Sequence, residues 1–167
     1  MPQIILIAHN LRSCHNVGSL LRTADGLGIE CVYLTGYTPY PAGSVSDPRL
    51  PYLAAKISRQ ITKTALGAEK TMLWQYVSDI FSLLPKLQAR GYQIVALEQA
   101  PKSSDLNTYK PPQKLALIVG REVEGIEDEV LNKVDDIVEI PMQGHKESFN
   151  VAVAAAMALY HCRFYKI

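Results

Sequence analysis

Cysteine is scarce in this chain, and what there is does not pair up. Cys14, Cys31 and Cys162 are odd in number and lack C-x-x-C spacing, which excludes a disulfide framework and the common zinc patterns and fits a reduced, intracellular protein. An excess of one charge is also missing. The net charge is +1, so no global basic field would hold a polyanion, and any nucleic-acid surface must be a local patch. No uninterrupted apolar run approaches the ~18 residues of a membrane span. Met1 and Pro2 lead straight into the apolar run Ile4 to Ala8, without the charged region that opens a secretory signal. A cytoplasmic, non-membrane protein is expected. Walker, H-E-x-x-H and G-x-S-x-G sequences are absent as well, and the adjacent pairs Cys14 with His15 and His161 with Cys162 match no metal geometry.

What is present reads as an α/β domain. An apolar fraction of 48% and a charged fraction of 20% over 167 residues suit one soluble domain with a substantial core. Ile4 to Ala8 and Cys31 to Thr35 are continuous apolar runs of strand length, as in strands covered on both faces. Between them, Val17, Leu20, Leu21, Ala24 and Leu27 repeat at helical spacing, with Asn16 a candidate N-cap and Gly28 a stop. This β-α-β unit implies parallel strands. The stretch Gly36 to Pro51 holds four prolines and predicts a long loop. A helix from Leu53 to Leu66 carries Lys56, Arg59 and Lys63 on one face, either solvated or laid along phosphates. Thr71 to Val77, Gln93 to Leu97, residues 115–120 and Asp136 to Ile140 predict strands, with a helix over Asp79 to Arg90. Neither an internal repeat nor a linker divides the chain, so residues 1–167 are expected to form a single domain.

The richest stretch is Ile140 to Tyr160, where a strand end, a polar loop and an alanine-rich helix follow without a spacer. Ser148 or Asn150 supplies the capping oxygen, and the corner collects His145, Lys146 and Glu147 beside them. In open α/β sheets, ligands gather at the carboxyl ends of strands, and a helix N-terminus adds free N–H donors. The helix has two apolar stripes: Val151, Ala154, Ala155, Ala158, Leu159 and Cys162 on one side, Phe149, Val153, Met157, Tyr160 and Phe164 on another. One stripe serves a core, and the second predicts a homodimer interface.

Three motifs coincide in order. Asn16 to Arg22 in HNVGSLLRTADGLG, Gly120 to Gly125 in IVGREVEGI, and Ile140 to Asn150 in IPMQGHKESFNVAVA resemble motifs one, two and three of the SpoU, or TrmH-type, branch of the SPOUT RNA methyltransferases. The resemblance covers nearly the whole chain, and its third motif is the specific one. It implies a parallel-sheet SPOUT fold with a C-terminal trefoil knot, a homodimer, and S-adenosylmethionine-dependent methylation of a ribose 2′-hydroxyl in tRNA or rRNA, tRNA being favoured. Carried over by position, it gives Arg22 as the catalytic residue, supported by Asn16, Glu122, Ser148 and Asn150. It places the cofactor against Leu97, Gly120, Ile140, Ser148, Phe149 and Asn150. It supplies no metal and no DNA partner, and no appended RNA-binding domain is expected. Phe149 stands where leucine or methionine is usual, and Arg121 and Glu124 within motif two bear on substrate choice.

Arginine stays protonated, so Arg22 is assigned to stabilising a developing alkoxide and holding the adjoining phosphate, with the proton acceptor left open among Arg22, a phosphate oxygen and water. A non-catalytic RNA-binding or assembly protein of the same fold would be expected to have lost Arg22 or the Ser148 and Asn150 pair. An unrelated nucleotide-using α/β enzyme would be expected to carry a phosphate loop.

Overall fold

Short runs rich in β-branched residues leave no room for hairpins here, because each is followed by a helix or long crossover. A computed structural model describes residues 1–43 and 47–166, so residues 44–46 of the expected loop lie outside the described residues. The order is β1 (Gln3–His9), α1 (Cys14–Gly26), β2 (Cys31–Thr35), α2 (Pro51–Ala65), α3 (Ala68–Thr71), β3 (Trp74–Val77), α4 (Ile80–Ala89), β4 (Gln93–Leu97), β5 (Ser104–Asp105), β6 (Lys114–Val119), α5 (Asp128–Leu131), β7 (Asp136–Glu139) and α6 (Val151–Phe164). The strands form one sheet in the order β3-β2-β1-β6-β4-β7-β5. Every pairing is parallel.

The strand register sorts the core into two layers. Ile4, Leu6 and Ala8 of β1 join Leu20, Leu21, Ala155 and Leu159 on one face. Ile5 and Ile7 join Leu83, Leu84 and Leu87 of α4 on the other. Both faces are covered, which is why the strands read as unbroken apolar runs instead of alternating ones.

Several boundaries depart from the sequence reading. Helix α1 is capped by Ser13, whose side chain accepts from the Asn16 N–H at 3.2 Å, so Asn16 is not the cap but lies inside the first turn with its amide free for other work. The expected strand over residues 71–77 begins only at Trp74, since Ala68–Thr71 is helical. The short strand β5 has no counterpart in the sequence reading. Helix α2 starts two residues early because Pro51 is preorganised for a first helical position.

Two packing details fix the helices against one another and against the sheet. A methyl group on Gly18 would collide with the Thr64 side chain and the Ile61 carbonyl, so α1 and α2 cross in backbone contact. Arg163 near the end of α6 donates to the carbonyl oxygens of Pro2, Leu27 and Gly28, tying that helix to both ends of the first β-α unit. The buried stripe of α6 is Ala152, Ala155, Ala158, Leu159 and Cys162, while Phe149, Val153, Tyr160 and Phe164 are exposed. Burial raises the Cys31 thiol to about 11 and the Cys162 thiol to about 12, so neither offers a thiolate at neutral pH.

Candidate active site

Three strands, β4, β6 and β7, end side by side, and the chain after each contributes to one cleft of about 470 Å³. Leu97, Gly120, Ile140, Met142, Phe149 and Val151 supply its apolar walls. Its polar rim is lopsided. Glu98, Glu122, Glu124, Glu139 and Glu147 line it against one cation, Arg121. Among the described residues no group of His, Cys, Asp and Glu is arranged to hold a metal ion.

Close backbone approach shapes the floor. A Cβ on Gly120 would come within 2.5 Å of Ile126 Cγ1 and 2.9 Å of the Gly125 carbonyl carbon, so only glycine lets β6 turn there. Gly125 adopts φ +71°, and its open side is filled by the Glu98 carboxylate. Glu98 in turn accepts from the Ile126 N–H at 2.8 Å. A second clamp lies behind the turn. Arg121 stands 3.6 Å from Glu127, whose carboxylate also accepts from the Asn10 amide at 2.8 Å and faces His9 at 3.3 Å. Burial keeps His9 below its ordinary pKa, although Glu127 pulls the other way.

Glu122 is then presented to the β1–α1 connection. Its carboxylate accepts from the Arg12 N–H at 3.2 Å, the Ser13 N–H at 3.1 Å and the Asn16 side-chain amide at 3.0 Å. Burial pushes this carboxyl up, but the bonds from Asn16 and the backbone outweigh it and leave the group below its ordinary value, hence ionised. Asn16 extends the network, accepting from the Asn150 amide at 3.1 Å. Asn150 caps α6, its oxygen taking the Ala152 N–H at 2.9 Å and the Val153 N–H at 3.4 Å. Motifs one, two and three are thereby joined by side-chain hydrogen bonds across 106 and 134 residues of sequence.

Of the residues singled out from sequence, Leu97, Gly120, Glu122, Ile140, Ser148 and Phe149 all line the cleft. Asn16 and Asn150 flank it through their shared hydrogen bond and the bond from Asn16 to Glu122. The choice between Ser148 and Asn150 as cap is resolved for Asn150, leaving Ser148 exposed in the cleft wall. Arg22 is not among the lining residues. It is exposed on α1, and among the described residues it has neither an ion pair nor a hydrogen bond from its guanidinium. Sequence reasoning missed Glu98, Met142 and the Gln99 side chain, whose amide donates to the Glu147 carbonyl at 2.8 Å and links two cleft loops. An acidic residue directly after a buried strand and opposite a glycine turn was the available signal for Glu98.

An open parallel sheet with a cleft at the carboxyl ends of adjacent strands places the chain among α/β proteins whose fold gathers ligands at that position. Its particular family follows from comparison: the model of the SpoU rRNA methylase family matches residues 3–160, and the chain belongs to that family. It is 30% identical over 156 residues to a Staphylococcus saprophyticus protein of the TrmH family of tRNA/rRNA methyltransferases, covering 93% of this chain and 56% of that one. The chain thus spans about half the length of the curated relatives it matches. An S-adenosylmethionine-bound rRNA methyltransferase from Sinorhizobium meliloti superposes with a TM-score of 0.80 at 22% identity, over 99% of this chain and 57% of that one. An RNA 2′-O ribose methyltransferase superposes with a TM-score of 0.76 at 27% identity, over 96% of this chain and 55% of that one.

Proposed function

We propose that this chain transfers a methyl group from S-adenosylmethionine to a ribose 2′-hydroxyl of tRNA or rRNA, and does so as a homodimer. The observation that carries this reading is the composition of the cleft. Apolar walls suit an adenine ring, while five carboxylates against one arginine disfavour a triphosphate or pyrophosphate and favour a cationic ligand. When bound, S-adenosylmethionine supplies a methyl activated on a positively charged sulfur. Leu97, Gly120, Ile140, Ser148, Phe149 and Asn150 would hold it, with Gly120 leaving the floor open to backbone approach.

The chain's own residues then set position and charge. Glu122 fixes the β1–α1 connection against the cleft, and the Asn16–Asn150 bond fixes the third motif against the first. The exposed Arg22, with its fork of donors uncommitted, is assigned to the RNA side, holding the phosphate beside the target ribose and stabilising the alkoxide as it develops. The homodimer is supported by the exposed Val153, Tyr160 and Phe164 on α6 and Phe149 just before it, with Tyr160 and Phe164 rings 4.8 Å apart. The reading includes the trefoil knot implied by the family. Supporting it, the crossover between β4 and β6 is held by β7 through the Leu106 N–H to Glu139 carbonyl bond at 2.8 Å, and by α6 through His161 and the Tyr109 carbonyl at 2.8 Å.

The test is single-turnover methyl transfer to bulk tRNA and to rRNA fragments, beside a cofactor titration. Arg22→Ala is expected to cut the rate by roughly 10²–10³ with cofactor affinity unchanged, and Arg22→Lys to rescue it in part. Nucleoside analysis should place the methyl on ribose. A methyl found on a base, or wild-type rates in Arg22→Ala, would overturn the assignment, and a sedimenting mass of one chain at micromolar concentration would overturn the dimer.

A further inference from the structure

The large apolar side chains left exposed fall mainly into two groups. One is the α6 stripe. The other lies around the open edge of the sheet, where Tyr37, Leu50, Tyr52, Leu53, Leu73 and Tyr76 come from the β2–α2 connection, the start of α2 and the edge strand β3. The homodimer accounts for the first group and leaves the second without a role.

This second surface is built around stacked rings. Tyr40 is sandwiched, with the Arg49 guanidinium 3.5 Å from its centroid on one side and the Tyr76 ring at 4.1 Å and 22° on the other. Arg49 is itself fixed, donating to both carboxylate oxygens of Asp47 at 2.9 and 2.6 Å and to the Tyr40 and Pro41 carbonyls at 2.7 and 3.2 Å. Asp47 is held down to about 2 by that arginine and stays ionised. The Tyr76 hydroxyl donates to the Gly36 carbonyl at 2.8 Å, which fixes the last ring of the stack. Tyr76 is 38% exposed, Tyr37 52% and Tyr52 71%. The fixed, part-exposed ring of Tyr76 invites a further flat ring, and Tyr37 and Tyr52 add exposed aromatic surface.

Charge is concentrated in the same segment of chain, where the Ala42 N–H donates to the Ser58 hydroxyl and ties the Tyr40 loop to the middle of α2. Residues 36–66 carry Arg49, Lys56, Arg59 and Lys63 against a single acid, Asp47, in a chain whose total is only +1. Tyr52, Lys56, Arg59 and Lys63 recur at helical spacing on one exposed face of α2. Among the described residues no carboxylate pairs with Lys56, Arg59 or Lys63. The surface also meets the candidate site at two points. Thr64, next to Lys63, donates to the His15 carbonyl at 2.7 Å in the first turn of α1, and the Tyr37 N–H donates to Asn10 at 3.1 Å in the β1–α1 connection.

We propose that the face formed by Tyr37, Tyr52 and Tyr76 with Lys56, Arg59 and Lys63 binds unpaired nucleotides of the RNA substrate, bases stacking on the tyrosines and phosphates lying on the cations. The inference rests on the reading of the chain as an RNA methyltransferase and adds the surface by which it selects single-stranded over paired RNA. Aromatic platforms interleaved with uncommitted cations are the arrangement that grips a single strand, because every base has a π face and every nucleotide a phosphate.

The test compares wild type with a Lys56→Gln, Arg59→Gln, Lys63→Gln triple variant and a Tyr37→Leu, Tyr52→Leu double variant. Each is titrated with an oligouridylate and with a blunt RNA duplex over a range of salt, and each is checked for S-adenosylmethionine binding. The triple variant is expected to weaken oligouridylate binding and to lower the salt slope by about 2, from the loss of three single-strand phosphate contacts. The tyrosine variant should bind oligouridylate at least roughly 30-fold more weakly, from the loss of two stacking platforms, and leave duplex binding and the salt slope unchanged. Cofactor affinity should be wild type in both. Variants that methylate and bind RNA like wild type would overturn this surface while leaving the methyltransferase reading intact. Wild-type protein that binds no RNA and transfers no methyl would overturn both. Variants that keep RNA affinity but lose the dimer would reassign the face to contact between copies.

Discussion

Asn150 performs two tasks with opposite ends of one amide, and a pair of substitutions separates them. Its oxygen caps α6 through the Ala152 and Val153 N–H groups, while its nitrogen reaches Asn16 at 3.1 Å. Asn150→Ala removes both. Loss of an N-cap costs about 1 kcal/mol, and at this chain length that corresponds to a fall in Tm of roughly 2–4 °C. Asn150→Asp keeps the acceptor and adds a charge that the helix N-terminus favours by about 0.3–1 kcal/mol, so thermal stability should hold or rise slightly. It abolishes the donor, however, and sets a carboxylate oxygen against the Asn16 oxygen, whose own amide nitrogen is committed to Glu122. Methyl transfer should therefore fall by at least about tenfold in the aspartate variant, the scale of a lost bond plus an uncompensated charge. Thermal unfolding by circular dichroism and single-turnover methylation on the same preparations read the two effects. If Asn150→Asp melts as early as Asn150→Ala, or transfers methyl at the wild-type rate, the division of labour is wrong.

Gly120→Ala should force Ile126 and the Gly125 backbone away from the floor, and calorimetry with the demethylated cofactor should show affinity reduced by about tenfold or more, because, besides the Ile126 side chain, the cramped contacts include the Gly125 carbonyl carbon and the Ile126 nitrogen, which cannot swing aside. Gly18→Ala should push α2 off α1 and destabilise the fold by about 1–3 kcal/mol, visible in urea unfolding as a lower midpoint. Glu122→Gln tests the carboxylate through pH. Since the folded-state pKa lies below the ordinary value of 4.5, the ionised group's stabilisation is complete above that value and is lost as pH falls through the lowered one. Wild type should thus exceed the variant by about 1 kcal/mol at pH 7, a modest figure because the group is partly solvated. The gap should close under acid conditions, and a gap that widened instead would contradict the assignment.

Much of this architecture was legible because buried parallel strands announce themselves. Ile4 to Ala8 and residues 115–120 had only one reading as covered strands; the first lies in β1 and the second, up to Val119, in β6 at the sheet centre. The two-residue β5 was invisible because its residues are polar, exposed and held mainly by β7. Ser13 displaced Asn16 as the cap because either side chain can accept from a first-turn N–H, and local sequence does not say that Asn16 is wanted by Glu122, 106 residues away. Leu97, Gly120, Ile140 and Phe149, which line the cleft, were within reach of the sequence because they lie in or beside the three motifs or at a strand end. Glu98 and Gln99 escaped because their roles depend on which loops the fold brings opposite them, and periodicity carries no such information.

The bonds from Asn16 to Glu122 and from Asn150 to Asn16 have a consequence for how the protein comes into being. The cleft draws on groups from residue 97 through residue 154 and is buttressed by residue 16, so no early portion of the chain contains it. Contacts of such long sequence separation, in a wholly parallel sheet, form late and slowly. During synthesis the first β-α unit must wait, its Asn16 side-chain oxygen and its Pro2, Leu27 and Gly28 carbonyls solvated, until α6 leaves the ribosome with Asn150 at its start and Arg163 near its end. On the proposed reading, cofactor binding would report that α6 has arrived, and a nascent chain stalled before residue 150 should retain nothing on a cofactor resin.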